Sequence, residues 1–210
     1  MTLPAGIRAG LVLAGFVGAG LTLVGAVHEA TEERIAAAER QVVLDRLEAV
    51  LPPGYDNEPA EAAYERPAPL GDGPPMRIYP AYGEGRYLGA AVEVTAPEGY
   101  AGPIRLLIGV RADGRVVAVR PVRHQETPGL GDAIEAGRSD WIRSFNGHRL
   151  GEPPRREWRV AADGGAFDAI TGATITSRAV VDAVRAVLLD FESAPGRYRA
   201  QRSAGGEAAP

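Results

Sequence analysis

With 210 residues, the chain has room for one domain of ordinary size plus one further element, and such a domain buries a core without covalent staples. Its 23 basic residues are all arginine, set against 27 acidic ones for a net charge of −4, so there is no polybasic footprint for nucleic acid. Cysteine and lysine are absent, which excludes disulfides, thiolate catalysis, cysteine-held iron–sulfur clusters and lysine Schiff bases.

After a short N-terminus (1–8), Ala9 to Val27 is an uncharged, mostly apolar run interrupted only by glycines and Thr22. Its length is close to the roughly 20 residues that span a bilayer and exceeds the h-region of a cleaved signal peptide, so the run is expected to be a retained transmembrane helix. Arg8 and Arg34 lie on opposite sides, and charge alone votes weakly on orientation. Residues 28–51 keep a helical spacing through Ile35, Val42, Val43, Leu44, Leu47 and Val50 until Pro52-Pro53-Gly54 ends it, which predicts a helical stalk. Residues 52–84, rich in Pro, Gly, Asp and Glu, read as an irregular linker.

Three strands follow at Tyr87–Thr95, Ile104–Val110 and Arg115–Val122, with Ala112-Asp113-Gly114 as a hairpin turn between the last two. His124-Gln125-Glu126-Thr127-Pro128-Gly129-Leu130-Gly131 then forms a shaped loop at a strand end, because its proline and glycines interrupt regular structure. A short helix is expected over Ser139–Phe145, pairing Trp141 with Phe145 in the core, and a further strand over Glu157–Ala161 carrying Trp158 inward. The apolar spacing of Val180, Val181, Val184, Val187, Leu188 and Phe191 predicts a helix beginning at or just after Ser177. Residues 193–210 have the composition of a disordered tail. The histidines His28, His124 and His148 show no metal-ligand spacing.

Immediately before the last helix stands Thr171-Gly172-Ala173-Thr174-Ile175-Thr176-Ser177. Hydroxyls there can simply cap the helix. The uncapped N–H groups and dipole of a helix N-terminus also favour a phosphate. A Walker-type loop is excluded because it needs a lysine. The wording Thr171–Thr176 resembles the Ser/Thr/Asp-Gly-Ala-Thr-x-Thr flavinylation motif. Together with His124–Gly131, Trp141, Phe145 and Trp158 it resembles the G subunit of the Rnf (Rsx) ion-translocating electron-transport complex, in detail over roughly residues 85–190.

The resemblance implies an α+β architecture: an N-terminal transmembrane helix with a helical extension, then a small FMN-binding domain (85–192) with an antiparallel sheet packed by helices. It implies FMN joined covalently through its phosphate to Thr176, in a pocket walled by Gly172, Ala173, Thr174 and Ser177 on one side and by His124, Glu126, Thr127, Gly129 and Leu130 on the other. No His or acidic residue adjoins Thr176 in sequence, so Thr176 is expected to be a modification site served by a separate flavin transferase rather than a catalytic nucleophile. The implied role is an electron relay within a ferredoxin/NAD oxidoreductase complex. Its iron–sulfur and integral membrane subunits are partners of this chain, whose N-terminus is cytoplasmic and whose FMN domain is periplasmic, on the bacterial inner membrane. Two other readings are the C subunit of a sodium-pumping NADH:quinone reductase, which shares the motif, and a cofactor-free anchored scaffold in which Thr171–Ser177 only caps a helix.

Overall fold

The computed structural model describes residues 4–71 and 73–199; within the first helix the side chains at 5, 7–9, 11, 12 and 26–40 lie outside that description. The chain divides into two units, Met1–Leu44 and Asp45–Pro210.

Helix α1 runs from Ala5 to Glu48. Leu13, Phe16, Val17, Leu21, Leu23 and Val24 on it are all more than half exposed. The one polar side chain among them is satisfied internally, since Thr22 Oγ1 donates to the carbonyl of Gly18 at 2.8 Å. Among the described residues, no helix is long and apolar enough to cross a membrane. The run 9–27 includes positions 9, 11, 12, 26 and 27, whose side chains lie outside the description.

The second unit is built on a five-stranded antiparallel meander, β1 (Tyr64–Arg66), β2 (Met76–Gly83), β3 (Arg86–Ala96), β4 (Ile104–Arg111) and β5 (Val116–Arg123), paired in sequence order. The central strands read as nearly continuous apolar runs because the sheet is covered on both faces. Ile78, Val92, Val94, Leu106 and Ile108 face one core, shared with Val180, Val184 and Val187. Tyr79, Ala91, Leu107 and Ala118 point the opposite way and pack with Leu47, Val50 and Leu51. The period-two alternation along each strand sorts these side chains to the two faces. Helix α2 (Thr174–Ser193) lays its valine stripe on the first face.

Several elements depart from expectation. Two strands, β1 and β2, lie within the segment read as irregular linker; β2 carries only one internal proline, and Pro80 is tolerated there. Glu157–Ala161 is no strand but two 3-10 turns, Arg155–Glu157 and Ala161–Asp163, touching the extended backbone only where Val160 bridges Phe167. Trp158 is nevertheless fully buried, its ring 4.9 Å from that of Phe167. Helix α2 begins three residues earlier than its apolar spacing suggests, because Thr174 to Thr176 form its first turn.

The start of the expected tail is ordered as well. Pro195–Tyr198 is a 3-10 turn, and Tyr198 is fully buried against Phe191. Burial, and then the hydrogen bond from its hydroxyl to Asp190, hold the Tyr198 phenol far above its ordinary pKa. Residues 200–210 lie outside the described residues.

Candidate functional site

The site forms where the loop after β5 meets the first turn of α2. Thr176 is fully buried and Glu126 nearly so, and the Thr176 hydroxyl donates to Oε2 of Glu126 at 2.5 Å. Fifty positions of sequence separate the two residues, so the contact is invisible to local spacing. The other carboxylate oxygen, Oε1, accepts the N–H of Ala101 at 3.1 Å. Glu126 is thus held at one oxygen by backbone and offers the other to the hydroxyl.

His124 stands behind this pair rather than on it. Its Nδ1 accepts the backbone N–H of Glu126 at 3.2 Å, and Nε2 lies 3.1 Å from Glu135 Oε1. An accepting Nδ1 places the ring proton on Nε2, where it is donated to Glu135. Thr127 is exposed, and its carbonyl closes the turn by accepting the N–H of Leu130 at 3.1 Å. Gly129 lies in that same turn, and Leu130 remains 45 % exposed.

Two glycines fix how closely the loop and helix approach. A methyl group on Gly131 would stand 2.8 Å from both Cβ and Oε2 of Glu126 and 3.2 Å from the Thr176 hydroxyl. Gly172 adopts φ +80°, a left-handed conformation that disfavours side chains, and sits beneath Leu130. Gly131 and Ala101 are contributors that sequence reasoning did not single out. The signal for Gly131 was the second glycine of Pro128-Gly129-Leu130-Gly131, whereas nothing in the wording around Ala101 marks it.

Capping does not account for the four hydroxyls of the stretch 171–177. The residue at the N-cap position of α2 is Ala173, which makes no side-chain cap. Ser177 is buried and braces the entry by accepting the N–H of Ile170 at 2.9 Å and donating to the carbonyl of Ala173 at 3.0 Å. Thr174 is half-buried and Thr171 exposed. Arg178 forks onto Asp163 at 2.6 and 2.9 Å, and hydrogen bonding from Arg178 holds the Asp163 carboxyl below its ordinary range. Trp141 packs edge-on to Phe145 at 5.5 Å and donates its indole N–H to the carbonyl of Asp168, so it serves the core.

Chemically, the arrangement combines a hydroxyl, a carboxylate touching it, and first-turn N–H groups that carry no side-chain cap and can take phosphoryl oxygens. Leu130 and Ile175, both nearly half exposed, offer apolar surface beside it. These groups suit a flavin phosphate and ring. Two cavities of about 770 and 680 Å³ lie elsewhere, one beside Trp141 and His148 and the other beside Glu98 and Asp182, and neither is lined by Thr176.

A sequence model of the FMN-binding domain matches residues 99–189, which hold both halves of this site. The chain is 43 % identical over 203 residues to the G subunit of the ion-translocating oxidoreductase complex of Pseudomonas aeruginosa, covering 95 % of each chain. The corresponding G subunit of Erwinia tasmaniensis is 42 % identical over 192 residues, 90 % of each chain. That of Vibrio cholerae is 41 % identical over 178 residues, 84 % of this chain and 85 % of the other. At this identity and coverage, the chain belongs to the family of G subunits of ion-translocating oxidoreductase complexes and carries an FMN-binding domain.

Proposed function

We propose that this chain relays electrons within an ion-translocating oxidoreductase complex through FMN esterified by its phosphate to Thr176. The observation that carries the reading is the Thr176 hydroxyl, buried in an uncapped first helical turn and seated on Glu126 within the FMN-binding domain. When bound, FMN supplies one- and two-electron chemistry that this cysteine-free chain lacks. Thr176 holds its phosphate, the first turn of α2 offsets the phosphodiester charge, and Gly172, Ala173, Thr174 and Ser177 shape that end of the site. Glu126, Thr127, Gly129 and Leu130, with His124 behind them, form the opposing wall.

The covalent link is made by a separate flavin transferase. Iron–sulfur and integral membrane partner subunits donate and accept the electrons, since this chain has no dinucleotide fingerprint and no cysteine. The uncharged run 9–27 anchors the chain in the inner membrane as a single span, with residues 1–8 cytoplasmic and the flavin domain periplasmic. The exposed apolar side chains from Leu13 to Val24 support an anchor, because a water-facing helix would leave them unburied.

The test is to produce the full chain with and without a flavin transferase and to view a denaturing gel for flavin fluorescence. Transferase-dependent fluorescence that Thr176→Ala abolishes is the expected result. A dark band in both samples would leave a cofactor-free anchored protein.

A further inference from the structure

We propose that Glu126 receives the proton of Thr176 when the threonine oxygen is joined to phosphorus, so that this chain supplies the base for its own modification. The inference rests on the reading of Thr176 as the flavin attachment point. Sequence alone left the hydroxyl without an activating neighbour; the fold supplies one from fifty residues upstream.

A threonine hydroxyl is a weak nucleophile until its proton is taken by a positioned base. Oε2 of Glu126 already accepts that proton's hydrogen bond at 2.5 Å. Oε1 is tied to Ala101 N–H, and the Glu126 backbone is tied to His124, so the carboxylate is held in place from two directions. Among the described residues, no arginine pairs with Glu126, which leaves Oε2 free to receive a proton. Burial of both residues keeps water from the pair while the loop is closed.

The step balances. Thr176 Oγ1 forms a bond to the FMN phosphorus of a flavin dinucleotide, the phosphoanhydride P–O bond breaks, AMP leaves with that electron pair, and the hydroxyl proton passes to Glu126 Oε2. Nothing is oxidised or reduced. With the donor seated, the Glu126 carboxylate and the FMN phosphate each carry one negative charge; after the step Glu126 is neutral and the phosphodiester keeps one, so proton transfer to Glu126 relieves a like-charge pair in a dry environment. Because Gly131 closes over the pair, the Thr127–Gly131 turn must lift to admit the donor, while Glu126 keeps its hold on Ala101.

The experiment measures initial rates of flavin incorporation by intact-protein mass, with full-length chain in detergent, transferase and flavin dinucleotide, over a range of acceptor concentration. Glu126→Gln keeps the shape and the Ala101 contact but cannot take the proton. It is expected to lower kcat about a hundredfold, with KM for the acceptor unchanged and the unfolding curve preserved. Glu126→Asp, which retains a carboxylate set back by one methylene, is expected to recover part of the rate. A Glu126→Gln rate within threefold of wild type, or a loss confined to KM, overturns the proposal. If Glu126→Gln loses cooperative unfolding, the Asp variant decides: folded and slowed in kcat it supports the assignment, and modified at the wild-type rate it overturns it. Failure of the wild type to take flavin, or flavin surviving in Thr176→Ala, would instead sink the underlying reading of Thr176.

Discussion

Two adjacent hydroxyls in the first turn of α2 have separate tasks. Thr176 faces the carboxylate of Glu126, whereas Ser177 stitches the preceding loop to the helix. Thr176→Val keeps the volume but removes the donor, leaving Glu126 buried without its hydroxyl partner. Denaturant unfolding should show a loss of about 1–3 kcal/mol, accompanied by no covalent flavin. Ser177→Ala orphans the Ile170 N–H and should cost a similar amount, about 1–3 kcal/mol by the same measurement, while still accepting flavin, because Thr176 retains its own partner. Exposed Thr171 makes neither contact, and Thr171→Ala should leave stability within about 0.5 kcal/mol of wild type.

The elements that carry the site were legible in different degrees. The strands β3, β4 and β5 were readable because their β-branched runs are bounded by turn residues, and Gly114 supplies the positive φ of the hairpin. The strand β2 escaped because Pro74 and Pro75 precede it and Pro80 interrupts it, features that locally argue against a strand and are outweighed by pairing with β3. The start of α2 was misplaced because its first turn is anchored by tertiary contacts to Glu126 and Ile170 rather than by a cap. The motif itself could be read, and the resemblance placed Glu126 on the opposing wall, but the hydrogen bond that joins Glu126 to Thr176 could not be read, since no local periodicity relates positions 126 and 176. Also at this scale, the Arg178–Asp163 fork ties the 161–165 turn to the start of α2. A carboxyl whose folded pKa is depressed contributes stability above its unfolded pKa and loses it as pH falls through the folded one. The difference in Tm between wild type and Arg178→Ala should therefore be full at neutral pH and vanish on acidification below the ordinary carboxyl range, about pH 4.

At the scale of the whole unit, the sheet is sealed on both faces, and the larger core extends from the strands through α2 to Trp158, Phe167 and Tyr198. Trp158→Ala should cost about 3–5 kcal/mol in denaturant unfolding, since an indole-sized space opens among Phe167 and its neighbours. This core holds α2 against the sheet, and with it the approach of Thr176 to Glu126. Covalent FMN on Thr176 is the claim on which the electron-relay role depends. The direct measurement is the mass of the arginine-bounded peptide 160–178, which contains Thr176, from chain produced with a flavin transferase. The account predicts a peptide heavier by FMN less one water, with fragment ions placing the addition on Thr176. An unmodified peptide in flavin-bearing protein, or an addition placed on another residue, would contradict it.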